Sequence, residues 1–324
     1  MSVWPEAIPQ DGSSARIVNI MINKKFWIFV SAAGLFCLGF WNSHAASDIQ
    51  PLIEKLENAI AISGAEVSIV FEDLETDETI EINAEKMMHA ASLMKVPVMI
   101  EVFRQAEQGK FSLDEKIAVT NEFKSIVDGS PYSLTAAGDS DEDIYRYIGK
   151  DMSLRDLVVR MITVSSNLAA NVLIERVGVE NVMDTLTKLG IHGMKVLRGV
   201  EDIKAYEKGL NNRTNATGMA LVMQSIARGK AGAGEACEQM IDILSRQKYR
   251  AKIPAGIPPG VKVANKTGSI TRIDHDGAIV FPEGRKPYIL VVMTRGIEKR
   301  EDAEKLIAEL SKMVYDYVTE EEER

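Results

Sequence analysis

Apolar residues at Ile49, Leu52, Ile53, Leu56 and Ile60 recur at intervals of three and four, which predicts an amphipathic helix over 48–62. The pattern then shortens. Residues 66–72 and 79–83 are strand-like runs split by Asp73-Leu74-Glu75-Thr76-Asp77, the pattern of a hairpin. Helical spacing returns over 91–108 and stops at Gly109. Residues 121–150 are polar with little periodicity, and Asp128-Gly129-Ser130-Pro131 and Gly138-Asp139-Ser140-Asp141 mark turns, so this stretch is expected to be a surface excursion. Ser153 opens a helix to Thr163 in a sequence that resembles a capping box. Helices over 168–177 and 179–189 follow, each ended by a glycine. Thr214 is expected to cap a helix reaching Ala227, and 235–245 to form another. Aliphatic and β-branched runs at 261–265, 277–281 and 288–294 predict strands, and a helix over 300–317 closes the chain.

The order is helix, strands, many helices, strands, helix, which is an α+β arrangement. The early and late strands are expected to join in one antiparallel sheet flanked by the terminal helices. On that reading, 46–324 is a single domain: an α/β lobe at about 48–90 and 255–324, and a helical lobe at about 91–254. The 324 residues are 46% hydrophobic and 26% charged, enough apolar chain for a large core. The net charge of −9, with no basic stripe, excludes a nucleic-acid partner. The acidic run at 320–323 reads as a solvated end.

Lys24 and Lys25 precede an apolar run over 26–41, followed by Asn42-Ser43-His44-Ala45-Ala46. A cationic start, an apolar core and small residues before the cleavage point make a secretory signal, cut after Ala45. The protein is therefore expected in the periplasm or the medium, with Met21 as the natural start. No stable membrane association is expected after cleavage. The apolar run falls short of the ~20 residues that span a bilayer, although an uncleaved anchor is a second reading. Cleavage would leave Cys237 as the one cysteine and bring the charge to −10, since residues 1–45 hold three basic and two acidic groups.

Ser92-Leu93-Met94-Lys95 places a hydroxyl and an amine three apart, on one face of a helix. A serine needs a neighbouring base to become a nucleophile, and a lysine serves when burial lowers its pKa. The apolar flanks Ala90, Ala91, Val96, Val98 and Met99 put this lysine at a buried wall. Alone, the pair also fits a helix cap beside a solvated lysine. Ser165-Ser166-Asn167, between two helices, offers a hydroxyl to relay a proton and a carboxamide to hold a substrate carbonyl. Lys266-Thr267-Gly268-Ser269, at the end of a strand, offers a fixed cation, a hydroxyl for a carboxylate and a glycine that lets substrate approach the backbone. The amides of Ser92 and Ser269 could together form an oxyanion hole. Singly, the last two motifs read as a helix connection and a turn.

In the order 92, 165, 266, the three motifs resemble the signature set of the penicillin-binding-protein and β-lactamase superfamily, over roughly residues 50–317. Glu207-Lys208-Gly209-Leu210-Asn211 looks like the Glu-x-x-Leu-Asn segment of class A β-lactamases, where glutamate and asparagine position the deacylating water on an Ω-shaped loop. The resemblance implies a serine β-lactamase without metal or cofactor, acting as a monomer on a small β-lactam or peptidoglycan-derived substrate. It makes Ser92 the nucleophile, Lys95 or Glu207 the acylation base, and Ser165 the proton relay. It gives Glu207 the deacylating water, Asn167 and Asn211 the substrate amide and that water, and Lys266, Thr267, Gly268 and Ser269 the substrate-binding strand. A D-alanyl-D-alanine peptidase, an esterase, or a sensor that binds without turnover are the other functions the scaffold allows.

Two departures mark a divergent branch. Ser166 stands where many class A enzymes have a loop-bracing aspartate, and no arginine follows Lys266-Thr267-Gly268 at the usual carboxylate-binding position, with Arg272 and Arg295 as distant substitutes. The 121–150 stretch is also longer than usual. His44, His89, His192 and His275 lack metal-ligand spacing, and no Gly-x-Ser-x-Gly or Cys-x-x-Cys occurs. His275 beside Asp276 reads as a turn histidine near the cleft, and Gly229, Gly232 and Gly234 as a flexible turn.

Overall fold

A computed structural model describes residues 49–320; the signal segment, Cys37 and the last four residues of the acidic tail lie outside the described residues. Helix α1 (Gln50–Ser63) leads into strands β1 (Glu66–Asp73) and β2 (Thr79–Ile82). The chain returns to the same sheet at its far end with β3 (Lys262–Ile270), β4 (Ile273–Phe281) and β5 (Tyr288–Arg295), before helix α9 (Arg300–Glu320). The spatial order is β3-β4-β5-β1-β2, with antiparallel pairing throughout.

Alternation along the strands explains why they read as nearly unbroken apolar runs: both faces are covered. Val67, Ile69, Phe71, Leu290 and Val292 pack against Leu56 of α1 and Ile307, Leu310 and Val314 of α9. Val70, Ile279, Val291 and Met293 face the other way, against the helical layer. That layer comprises α2 (Lys95–Glu107), α3 (Leu154–Thr163), α4 (Asn167–Val177), α5 (Val179–Lys188), α6 (Ile203–Glu207), α7 (Ala216–Ala227) and α8 (Gly234–Ser245). Helix α7 lies directly on the sheet. A Cβ at Gly277 would sit 3.1 Å from the Met219 side chain, so the glycine lets helix and strand approach closely.

Four expectations need correction. Strands β3 and β4 run longer than 261–265 and 277–281, because they meet in a tight turn at Thr271-Arg272 with Ile270 paired to Ile273. Lys266–Ser269 therefore lies inside a strand and not in a turn. His275 is likewise in β4, fully buried. The 121–150 stretch is not merely a surface excursion: Phe123, Leu134, Asp139, Asp141 and Ile144 are all buried. Helix α7 is capped by Asn215, whose side chain accepts from Gly218 N, and not by Thr214. Among the described residues no helix is long and apolar enough to cross a membrane, and no cluster of three or more His, Cys, Asp or Glu could hold a metal.

Candidate active site

Ser92 sits in a 3-10 turn, Ala91–Met94, that runs straight into α2. Ala91, just before it, has φ 46°, a left-handed conformation that a β-carbon resists. His89 holds that turn: its Nδ1 accepts from Ala91 N at 3.0 Å. The segment before the turn is fixed from a second side, since Met88–His89 pairs with Arg213–Thr214 and Ala90 N donates to Asn212 O at 2.9 Å. Ser92 is partly exposed, whereas Lys95 is wholly buried.

Lys95 Nζ donates to Ser165 O at 2.6 Å, Asn167 Oδ1 at 2.7 Å and Ser165 Oγ at 3.3 Å. Lys266 reaches the same hydroxyl from the sheet, with Nζ 3.0 Å from Ser165 Oγ. One serine oxygen thus bridges two buried amines. Burial pushes the Lys95 amine down to about 8, against the pull of Asp139 and Glu201 towards the charged form. Lys266 is held well below the usual lysine range by burial first, then by the nearby Lys95 and Lys252. Ser165 itself has φ 60°.

Strand β3 is the edge of the sheet beside this turn. A Cβ on Gly268 would lie 3.1 Å from both Ala91 Cβ and Ser92 N, and 3.3 Å from Ala90 O. The missing side chain lets the strand sit against the Ser92 backbone. The Lys-Thr-Gly segment and Ser92 are therefore neighbours, and so are Lys95, Ser165, Asn167 and Lys266.

The spacing suggested Glu207, but the carboxylate that contacts the cluster belongs to another glutamate. Glu207 ends α6 as an exposed residue. Asn211 accepts from Arg198 Nη2 at 2.9 Å, so its side chain closes the neck of the loop. The carboxylate that meets the cluster is that of Glu201, whose Oε1 accepts from Asn167 Nδ2 at 3.0 Å. Asn167 thus links Lys95 to Glu201. Burial raises the Glu201 carboxyl above its ordinary range, with the Asn167 hydrogen bond opposing.

Glu201 is presented by a tightly held backbone. Arg198, buried, donates to Leu210 O at 2.8 Å and Gly199 O at 2.9 Å, while Asn212 Oδ1 accepts from Leu197 N at 2.7 Å. Asn171 clamps Val200 on both sides, accepting from its N at 2.7 Å and donating to its O at 3.0 Å. Asp202 then caps α6 through Ala205 N. Between these fixtures Glu201 adopts φ 63°. Among the described residues six non-glycines have positive φ, and three of them, Ala91, Ser165 and Glu201, carry or flank this cluster. Such conformations cost about 1–3 kcal/mol each and concentrate where geometry serves chemistry.

Neither Arg272 nor Arg295 turns to Lys266–Ser269, and the nearest arginine is Arg300, whose Nε is 3.7 Å from Asp274 Oδ1. Arg295 pairs with Glu66, and Arg272 donates to Gly296 O and lies near Glu298. The cation beside β3 is Lys252, buried with Asp274. Its Nζ is 3.0 Å from Asp274 Oδ1, 2.8 Å from Ser269 Oγ and 3.3 Å from Gly268 O. Ser269 Oγ in turn donates to Asp274 Oδ1 at 2.7 Å. Lys252 and Asp274, with Arg300 at the edge, together hold Ser269. His275 and Asp276 are adjacent on a strand and point to opposite faces. His275 bridges His89 O and Thr294 N; Asp276 accepts from Asn265 Nδ2 and Ile253 N. They form no Ser-His-Asp relay.

An antiparallel sheet with a helical layer, and a buried lysine three residues after a serine at the joint between them, define the class of active-site-serine hydrolases that resemble β-lactamases and penicillin-binding proteins. The family model described as "Beta-lactamase enzyme family" matches residues 51–318, and the chain belongs to that family. Among relatives, it is 23% identical to β-lactamase CTX-M-8 of Citrobacter amalonaticus over 299 residues, covering 90% of this chain and 97% of that protein. The crystal structure of a β-lactamase from Sphaerobacter thermophilus superposes with a TM-score of 0.71 at 23% identity, covering 84% of this chain and 98% of that one. The structure of PBP-A superposes at 0.72 with 20% identity, over 84% and 97% of the two chains.

Proposed function

We propose that the protein hydrolyses β-lactams through an acyl-enzyme on Ser92, released by water that Glu201 activates. The observation that carries this reading is the unbroken contact from Lys266 through Ser165, Lys95 and Asn167 to Glu201, beside a serine that Gly268 packs against. In the first step Ser92 Oγ attacks the lactam carbonyl and gives its proton to neutral Lys95, or through a water to Glu201. With the Lys95 pKa near 8, about a tenth of the amine is free at pH 7. The carbonyl oxygen, now negative, is met by the amides of Ser92 and Ser269. Ser165, between the two amines, hands a proton to the departing nitrogen. Lys266 and Thr267 hold the substrate carboxylate.

In the second step Glu201 takes a proton from water as it attacks the ester, and Ser92 leaves as a hydroxyl. Asn167 and Asn211 face substrate or water only with the capacity that their protein contacts leave. The first is engaged with Lys95 and Glu201, and the second with Arg198. A D-alanyl-D-alanine peptidase shares the acylation step, but a base dedicated to lactam ester hydrolysis favours the lactamase. Steady-state turnover of nitrocefin by the wild type and by Ser92→Ala tests the proposal. Turnover that Ser92→Ala abolishes supports it; a wild type that is acylated once and then stalls points to the peptidase.

A further inference from the structure

Ser166 cannot supply the carboxylate that many relatives use to brace this loop, yet the loop is held by one. Asp139, buried at 7% exposure, reaches in from the 121–150 stretch. Its Oδ2 accepts from Leu168 N at 2.8 Å, and Asn167 N lies 2.9 and 3.0 Å from its two oxygens. These are donors of the first turn of α4, which have no partner within the helix. Ser166 Oγ takes the next one, Ala169 N, at 3.3 Å. Ser140 completes the strap: its hydroxyl meets Val164 O at 2.8 Å and Ser165 O at 3.1 Å. The strap is itself anchored, because Arg160 Nη1 lies 2.9 Å from both oxygens of the buried Asp141. Tyr145 Oη and Asp141 N donate to Asp139 as well.

We propose that Asp139, with Ser140, is a positioning residue for the acyl-transfer reaction, so that the 121–150 stretch is part of the active site. Through Asn167 it sets the atom that joins Lys95 to Glu201, and through Ser165 O the carbonyl that Lys95 grips. It also supplies charge. The groups facing Lys95 are Asp139 from this strap, Glu201 from its loop and Lys266 from β3. Asp139 favours the protonated form of both Lys95 and Glu201. Removing its charge therefore lowers the pKa of either candidate base, and the acid limb of the rate profile moves to lower pH whichever of the two it reports.

This inference rests on the acyl-enzyme reading, so the wild type is first shown to form an adduct at Ser92 with benzylpenicillin. Failure there sinks the reaction and not the strap. For Asp139→Asn, kcat/KM for nitrocefin should fall about tenfold to a hundredfold, with the acid limb displaced to lower pH. For Asp139→Glu, which keeps the charge and spoils the geometry, the rate should fall with the limb in place. Adding Ser166→Asp to Asp139→Asn returns a carboxylate to the loop and should recover most of the lost rate. Since a poorly folded variant would lose rate without moving its limb, the limb and the rescue decide. An unmoved limb in Asp139→Asn, or no recovery in the folded double variant, overturns the proposal.

Discussion

Glu201→Gln separates the two chemical steps when Lys95 takes the Ser92 proton, and slows both when Glu201 does. The amide is close to the carboxylate in shape and its oxygen can still accept from Asn167 Nδ2, which the native side chain does at 3.0 Å. The bridge from Asn167 to Lys95 therefore survives, and what is lost is the base. A positioned general base contributes about 10²–10⁴ in rate, or roughly 3–5 kcal/mol at 1.36 kcal/mol per decade. The assay is stopped-flow nitrocefin hydrolysis. With Lys95 taking that proton, the variant should give a burst of about one product per serine, followed by a steady rate lower by about 10²–10⁴. Intact mass at the plateau should show the acyl-enzyme. Thermal stability should hold or rise, because burial disfavours the charged carboxylate that the substitution removes. Glu207→Gln, on the exposed end of α6, should turn over within about twofold of the wild type. Unchanged steady turnover in Glu201→Gln, or its loss in Glu207→Gln, would refute the assignment.

Three more outcomes follow from named contacts. Gly268→Ala puts a methyl 3.1 Å from Ser92 N, forcing β3 off the nucleophile's turn; kcat/KM for nitrocefin should fall about 10²-fold with a small change in Tm, and an unaltered rate would show that the strand edge does not set the oxyanion geometry. Lys252→Met removes the closest cation from the buried Asp274 carboxylate and should cost about 3–5 kcal/mol in urea unfolding, most of it recovered by adding Asp274→Leu; a loss below about 1 kcal/mol would show that Arg300, 3.7 Å away, or solvent takes over the charge. Burial lowers His89 to about 4 and His275 to about 3, so both are neutral in the fold and take up protons on unfolding. Their contribution is complete above the unfolded value of 6.5 and is lost as pH falls, by about 2 kcal/mol apiece at pH 5. Asp276, raised to about 6, returns roughly 1 kcal/mol over the same interval, so these three groups together lose about 2–3 kcal/mol between pH 7 and 5. Equal unfolding free energies at the two pH values would contradict the buried neutral histidines.

The architecture was legible because hydrophobic period reports burial on one face or two. The helical periods gave α1, α4, α5 and α8 to within two residues, and the late aliphatic runs gave the sheet. Strand ends were not legible: Lys266–Ser269 is rich in turn formers, and only the pairing with β4 reveals that the strand continues through it. Ser92, Lys95, Ser165, Asn167 and Lys266 carried their own motifs and meet in space. The glutamate did not, because a local spacing at 207–211 competed with a loop whose neck is closed by Arg198 and Asn212. A usable signal was there: Glu201 directly precedes Asp202, a helix-capping aspartate, and Arg198-Gly199 lies just upstream. Asp139 was beyond reach, since nothing in its own stretch announces a contact with residues 28 and 29 positions away.

The most direct test is time-resolved intact mass spectrometry of the wild type with benzylpenicillin, followed by peptide mapping. The account requires a transient penicilloyl group on the peptide containing Ser92, decaying to free protein as penicilloic acid accumulates. Hydrolysis without that group, attachment at another side chain, or no reaction with any β-lactam would contradict it.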